Sequence, residues 1–320
     1  MQELVRIPGS EKIKIKESFE KRYREILKDE YDEFIRYSLS FLRQSIRVNT
    51  LKANVDETRK RIEKKGFSLE PIPWCKEGFW IYGERKDIGN LLEHSLGYIY
   101  VQEAMSMVPP VVLEPKPGEN ILDLCAAPGS KTTQIAQYME NKGVLVANDI
   151  TPVRARPLGI NVQRCGIQNI MLTLTRGQEL TKRFPEGYFD KILVDAPCSG
   201  TGTIRKSLKT LWQTSEGFVK KMAREQKKLV SSAFRVLKKG GTMVYSTCTL
   251  EPSEDEETIS YLLDNFDCKT EKILLPKLKS AEPITEWNNK KFNDGVKNCL
   301  RVYPHQNDTE GFFVCKIVKL

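Results

Sequence analysis

The sequence predicts an α/β protein: a doubly wound, largely parallel sheet preceded by a smaller α/β module. Three observations carry this. From Asn120 onward, short apolar runs alternate with helical patterns, the texture of successive βαβ units. Several runs end in a carboxylate as the chain leaves the sheet, at Asp123, Asp149 and Asp195. Before about residue 90 the order is instead strand, basic helix, strand, and the texture changes between Gly97 and Pro110 to small and apolar residues. A boundary is expected near 90–100, dividing residues 1–93 from residues 94–320.

A chain of 320 residues exceeds one ordinary core and favours two domains. Its 51 Lys and Arg against 42 Asp and Glu give a net charge of +9, which suits a polyanionic partner and serves solubility equally well. No apolar run approaches the roughly 18 residues of a membrane span, and the charged N-terminus is no signal peptide. The protein is therefore read as cytosolic. Eight cysteines without a Cys-x-x-Cys pair, beside two histidines, point to neither a zinc site nor a disulfide framework. Cys75, Cys165, Cys268, Cys299 and Cys315 read as small buried hydrophobes.

In order along the chain, residues 10–44 are charged but carry Phe19, Tyr23, Ile26, Leu27, Phe34 and Leu42 at helical spacing, which predicts surface helices. Residues 45–52 alternate as a strand. A helix follows with Arg59, Lys60, Arg61, Lys64 and Lys65, ending at Gly66. Residues 67–80 read as short strands broken by prolines. Its basic face with Trp74, Phe79, Trp80 and Tyr82 can hold RNA by phosphate contacts and stacking. The same pattern equally describes core aromatics beneath solvated lysines. After a turn at Glu114–Glu119 come the strand Ile121–Leu124, a helix from about Ser130, the strand Val144–Val146 and a helix through Asn161. The strands Ile170–Leu172 and Ile192–Val194 follow, then a long basic helix over about 216–238, a strand at Thr242–Tyr245 and a terminal strand over Gly311–Val318.

The first of these strands runs into Asp123-Leu-Cys-Ala-Ala-Pro-Gly-Ser-Lys-Thr132, a tight turn of small residues opening a helix. Such a turn lets backbone amides approach a ligand closely. It is neither a Walker A loop nor a Gly-x-Gly-x-x-Gly turn, which argues against a diphosphate. The second strand ends in Asn148-Asp149, a carboxylate placed to bind ribose hydroxyls. Together they fit a nucleoside ligand such as S-adenosylmethionine, although any βαβ unit may end a strand in Asp.

Two thiols follow two strand exits: Cys198 in Asp195-Ala-Pro-Cys-Ser-Gly-Thr-Gly202, and Cys248 in Ser246-Thr-Cys-Thr-Leu-Glu-Pro252. Consecutive parallel strands are usually neighbours, so both thiols are expected to overlook one pocket. A thiol serves a methyltransferase whose target carbon is not itself nucleophilic, as with carbon 5 of a pyrimidine. Thiolate addition at carbon 6 pushes electron density to carbon 5, which then attacks a sulfonium methyl group. A group must next remove the proton from carbon 5, and Asp195 can hydrogen-bond the ring as it takes up charge.

The segments Asp123–Thr132, Asp195–Thr203 and Ser246–Glu257 resemble the signature motifs of the NSun/RsmB-type RNA 5-methylcytosine methyltransferases. The likeness extends over nearly the whole chain, including Ser45–Lys52, Tyr100–Glu103 and Arg301–His305 followed by Gly311–Phe313. It implies a Rossmann-like methyltransferase domain behind a smaller, RRM-like α/β domain, with S-adenosylmethionine as methyl donor. It further implies Cys248 as nucleophile and Cys198 as the thiol that assists product release. Cys125, Ala126, Ala127, Pro128, Gly129, Ser130, Lys131, Asp149, Arg154 and Asp195 would line the methyl donor, with Lys131 and Asp195 also reaching the base. Where the family commonly has an acidic residue near the adenine, this chain has Thr175-Arg176-Gly177-Gln178, which leaves that contact to backbone or Gln178.

Glu251, Glu254, Asp255, Glu256 and Glu257 crowd the sequence after Cys248 and would oppose a thiolate. Ser253 and Glu256 match a capping box, so these acids are expected to serve a helix starting near Glu254. In the basic stretch Arg205–Lys239, Arg205, Lys206 and Lys209 are expected to contact RNA phosphates. His94 and His305 receive no catalytic role. The reading is a metal-free, monomeric enzyme that methylates cytosine in RNA, with transfer RNA favoured over ribosomal RNA because the compact chain resembles archaeal-type transfer-RNA members. A non-catalytic RNA-binding or assembly factor that kept the fold and a DNA-modifying enzyme are the competing readings.

Overall fold

The computed structural model describes residues 4–85 and 87–320. Helices α1 (Glu17–Leu27) and α2 (Tyr31–Ser38) turn one aromatic stripe inward. Phe19 and Tyr23 stack at 4.2 Å between centroids, and Tyr23 stacks on Phe34 at 5.4 Å. These rings are fully buried against Ile204, Leu250 and Tyr303 from loops, and Leu211 from a short helix, of the second half of the chain. The expected surface helices thus present only their charged faces to solvent.

The small module is a four-stranded antiparallel sheet: β1 (Ser45–Val48), α3 (Val55–Glu63), β2 (Ser68–Pro71), β3 (Gly78–Tyr82), α4 (Leu92–Ser95) and β4 (Ile99–Val101). Asn54 caps α3 by accepting the amide of Glu57. The strand order β2-β3-β1-β4 with a βαββαβ connection is RRM-like, as expected. Its fourth strand lies beyond the expected 93/94 division, so we propose that the boundary follows Val101. Trp74, Phe79 and Trp80 are buried, with Trp74 edge-on to Trp80, so these three are core residues and no stacking platform for RNA. Arg47 leaves β1 fully buried and crosses to the second domain, donating to Gln102 Oε1 (2.9 Å), Thr133 Oγ1 (2.8 Å) and Gln137. That fan of neutral acceptors satisfies a charge that would otherwise be costly to bury.

After α5 (Val108–Leu113) the large sheet begins with β5 (Asn120–Asp123), α6 (Ser130–Tyr138), β6 (Val144–Asp149), α7 (Pro152–Cys165), β7 (Ile170–Leu174), α8 (Gly177–Thr181) and β8 (Phe189–Asp195). It continues with α9 (Thr210–Gln213), α10 (Glu216–Val236), β9 (Leu237–Thr247), α11 (Glu256–Asn265) and β10 (Cys268–Glu271). The short hairpin β11 (Glu286–Trp287) and β12 (Lys290–Lys291) precedes β13 (Leu300–Val302), α12 (Pro304–Asn307) and β14 (Phe312–Lys319).

The order is β10-β14-β9-β8-β5-β6-β7, with β13 also on β14. Strands β7 to β9 are mutually parallel, whereas β14 pairs antiparallel with both β9 and β10. The sheet is therefore mixed, because a strand that returns without a crossover helix must enter antiparallel. Period-two alternation sorts its side chains. Ile121, Leu193 and Val244 pack beneath α6 and α7, while Leu122, Ile192, Met243 and Tyr245 pack beneath α8, α10 and α11. The winding reverses between β5 and β8, so a ligand crevice belongs outside the ends of these two strands.

Candidate active site

Asp195 ends β8 in register with Ser246 of β9, and the two following loops are bonded to each other residue by residue. Ala196 N–H donates to Ser246 O, Gly202 N–H to Cys248 O (3.0 Å), and Leu250 N–H to Thr201 Oγ1. The Thr249 hydroxyl meets those of Ser199 and Thr201 at 2.7 and 2.8 Å. A side chain at Gly202 would come within 2.3 Å of Gly311 O, so only glycine permits this approach. The outcome is that Cys198 Sγ and Cys248 Sγ lie 3.3 Å apart, as the neighbouring strand exits predict.

The same crevice holds Lys131, from the first turn of α6. Its ammonium lies 2.7 Å from Asp195 Oδ2, the Ser246 hydroxyl donates to Asp195 Oδ1 at 2.8 Å, and the Phe312 ring lies 5.4 Å below the ammonium. The four residues expected to perform chemistry, Cys248, Cys198, Asp195 and Lys131, are thus brought together. The hydrogen bond to Cys248, then burial, then the electrostatic influence of Cys248 and of Glu254, push the Cys198 thiol well above its ordinary pKa.

The acids after Cys248 do not form the expected capping box. Helix α11 starts at Glu256, two residues later than expected, and no side chain caps it. Each acid is held elsewhere. Glu251 meets Arg22 and Tyr23; Glu254 accepts from Ser199 N–H (3.0 Å) and Gln226 Nε2 (2.8 Å); Asp255 and Glu256 clamp the fully buried Arg301; Glu257 pairs with Lys227 and Lys290. Four of the five are thereby matched by cations, and the fifth, Glu254, is pushed up to about 7 by burial. Gln226 also donates to Pro197 O, beside Cys198. Sequence reasoning passed over this residue, although a lone amide inside the apolar stripe Val219, Ala223, Leu229, Val230 of α10 was a signal.

Arg205 is a correction. It is buried, bonded to the carbonyls of Ser40, Phe41 and Thr309 and paired with Asp308, so it is a structural clamp and not a contact for RNA. Lys206 and Lys209 are exposed.

Beside the thiols, a cleft of about 690 Å³ is lined by Leu124, Cys125, Asn148, Asp149, Arg154, Thr175, Gln178 and Pro197. Asp149 accepts from Ala127 N–H (3.1 Å), Ile150 N–H (2.8 Å) and Arg154 Nε (2.9 Å). Ala126 to Ser130 form the turn between β5 and α6: Ala126 N–H donates to Asn148 O, Arg154 to Ala127 O and Asn161 to Pro128 O. Gly129 enters α6 with φ 104°, where a side chain would strike Leu158. Behind the turn, Asp123 is held by Thr132 Oγ1 at 2.7 Å while its other oxygen, Oδ1, is buried without a partner. Burial pushes Asp123 up to about 7. Next to α8, the Thr175 amide is already bonded to Asp149 O and Asn148 Oδ1, and Gln178 lines the cleft at that end. A polar crevice beside a small-residue turn, with the Asp149 carboxylate placed for hydroxyls, fits a nucleoside.

This sheet order, with its small-residue turn and carboxylate at the switch point, is the architecture of an S-adenosylmethionine-dependent methyltransferase. Residues 110–318 match the family described as 16S rRNA methyltransferase RsmB/F, and residues 15–104 match the N-terminal domain of 16S rRNA methyltransferase RsmF. The chain belongs to the RsmB/F family of methyltransferases, which bears out the resemblance read from its motifs. It is 48% identical over 96% of its length, and 97% of the relative's, to a tRNA (cytosine(49)-C(5))-methyltransferase of Pyrococcus abyssi. It is 43% identical to the ribosomal RNA small subunit methyltransferase F of Vibrio vulnificus, covering 90% of this chain but 60% of that protein. Among solved structures, a methyltransferase homolog protein from Pyrococcus horikoshii superposes with a TM-score of 0.87 at 37% identity, covering 98% of this chain and all of that one. NSun6 from the same organism, solved with SFG, shares the fold at a TM-score of 0.81 and 24% identity, covering 95% of this chain and 98% of that one.

Proposed function

We propose that this protein methylates carbon 5 of cytosine in transfer RNA, with Cys248 as nucleophile and Cys198 as the thiol that completes turnover. The observation that carries the reading is the 3.3 Å pairing of the two sulfurs beside the Lys131–Asp195 pair and the donor cleft. S-adenosylmethionine supplies an electrophilic methyl group on a sulfonium sulfur. Asp149 and the turn Ala126–Ser130 would hold it by its ribose, with Arg154 and Cys125 in the wall and Gln178 at the adenine end.

The Cys248 thiolate adds to carbon 6 of cytosine, forming a carbon–sulfur bond, and the carbon 5–carbon 6 π pair moves into the ring. Lys131, fixed by Asp195, stabilises that charge, and Asp195 accepts a hydrogen bond from the exocyclic amine. Carbon 5 uses that electron pair to bond the methyl carbon, whose bond to the sulfonium sulfur would break with the pair staying on sulfur, so that the donor would leave as the neutral thioether S-adenosylhomocysteine. The two strongest interactions between Cys198 and Cys248, the hydrogen bond and the thiolate charge, vanish once Cys248 becomes a thioether. Cys198 then gives up its own proton more readily and becomes the base that removes the carbon 5 proton. Those C–H electrons re-form the ring double bond and expel the Cys248 thiolate.

Transfer RNA is favoured because the Pyrococcus abyssi relative is matched over almost its full length, whereas the ribosomal-RNA relative is matched over 60%. The small module and the exposed Lys206 and Lys209 would meet the RNA, and the chain would act in the cytoplasm as a monomer without a metal. The test pairs two variants with tRNA transcript and labelled methyl donor. Cys248→Ala is expected to abolish transfer, and Cys198→Ala to accumulate a covalent protein–RNA adduct on denaturing gels. Normal turnover by either variant refutes the assignment.

A further inference from the structure

Helix α10 carries a feature that the reaction described above does not use. Arg224, Lys228, Ser231 and Arg235 recur along it at spacings of four, three and four residues, which sets them on one face over about 16 Å of axis. Between that face and the turn that follows α8 runs a groove of about 720 Å³. The half-buried rings of Phe184 and Tyr261 form part of its wall, and Glu186 is the one acid among the described residues that line it. Five cations line it as well. Three of them, Lys182, Lys227 and Lys228, are paired with Glu179, Glu257 and Glu225. The other two, Arg224 and Arg235, are exposed and have no carboxylate partner among the described residues.

An ordinary solvated helix face interleaves its cations with acids three or four residues away, as α10 itself does at Glu216–Lys220 and Glu225–Lys228. The groove face departs from that pattern. Arg224 stands three residues from both Lys221 and Lys227 and four from Lys228, spacings at which like charges oppose the helix. The groove also joins the reactive end of the sheet. Helix α10 carries the chain from the exit of β8, where Cys198 lies, to the start of β9, so its first turns stand at the thiol end and its last turn at the opposite end. Gln178 and Lys228 line both the groove and the donor cleft, and Lys221, likewise without a carboxylate partner among the described residues, lines the cleft. A row of cations therefore starts beside the catalytic crevice and continues down the helix.

We infer that the groove between α8 and α10 holds the phosphate backbone of the substrate RNA at nucleotides away from the target base. The inference rests on the reading of the substrate as RNA. Arg224 and Arg235 present planar guanidinium groups whose donors match phosphate oxygens two at a time, and no carboxylate of this chain competes for them. Bound phosphates would also relieve the repulsion among the like charges of that face. Contacts of this kind fix where the RNA lies without reading its sequence, so they act on affinity and leave the chemistry to the crevice.

The test compares the full chain with two double variants, using a tRNA transcript. One is Arg224→Glu with Arg235→Glu. The other, Lys142→Glu with Lys269→Glu, makes the same change of charge at exposed positions outside the groove. RNA affinity is measured by filter binding from about 50 to 200 mM salt, beside kcat and KM for methyl transfer and calorimetric affinity for S-adenosylmethionine. The groove variant is expected to raise Kd and KM for RNA about tenfold or more and to flatten the salt dependence by about one to two phosphate contacts, while kcat at saturating RNA and donor affinity hold. The control is expected to move these values far less. An unchanged KM and salt slope in the groove variant overturns the proposal and turns the groove over to an acidic polypeptide instead. An equal effect from the control also overturns it, because the loss would then come from net charge alone. Failure of the RNA reading shows in a different place: the unmodified protein itself would neither bind nor methylate the transcript.

Discussion

The Tyr23 hydroxyl donates to Glu251 Oε1 at 3.2 Å, joining α1 to the loop three residues beyond Cys248 across 228 positions of sequence. Arg22 reaches the same oxygen at 3.0 Å. A helix outside both sheets therefore braces the loop of the proposed nucleophile. Tyr23→Phe removes one partner of a buried carboxylate and is expected to cost about 1–3 kcal/mol in a denaturant titration. Methyl-donor affinity should be retained, since the donor cleft is built from other elements. An unchanged unfolding midpoint would contradict the bracing role.

Asp149→Ala removes the acceptor of three hydrogen bonds that close the turn on the donor cleft. Calorimetric affinity for S-adenosylmethionine is expected to fall at least about tenfold, the loss that follows from a little over 1 kcal/mol. Retained affinity would move the ribose site elsewhere.

Arg301 is the fully buried partner of Asp255 and Glu256, and it also donates to Leu250 O. Arg301→Met leaves two carboxylates buried without their cation, so a loss of about 3–5 kcal/mol is expected, measured by denaturant unfolding. A variant as stable as the parent would show that the pair contributes nothing net.

Burial raises Glu254 from 4.5 to about 7. Because the folded value lies above the unfolded one, its contribution is complete below about pH 4.5 and is lost as pH rises through about 7. The full amount is on the order of 3 kcal/mol at 1.36 kcal/mol per pKa unit. Glu254→Gln keeps an acceptor for Ser199 and Gln226 but cannot ionise. Thermal scans should show the parent losing stability relative to the variant between about pH 5 and 8, and parallel curves would refute the shift.

The central parallel strands were legible because they are runs of apolar residues buried on both faces, as at Ile192–Val194, and edge strand β7 because it is apolar although largely exposed. The crevice was legible because Asp123, Asp149 and Asp195 mark where those runs stop. What could not be read is how distant residues compensate one another. Arg205 looked like a phosphate contact until the carbonyls of Ser40 and Thr309 came to surround it, and the acids after Cys248 looked like helix caps until Arg301, 45 residues beyond Glu256, claimed two of them. Strand β4 was missed because three residues, one of them exposed, carry too little pattern to separate them from a linker.

Strand β14 follows every other strand in the sequence yet fills the place between β9 and β10, and it brings Phe312 beneath Lys131. While the polypeptide is still emerging from the ribosome, the flank of β9 therefore stays open and unpaired, the kind of edge that invites misassembly. A partly synthesised chain also lacks one wall of the crevice. The crevice beside the two thiols is thus not fully enclosed until that segment has been translated and docked.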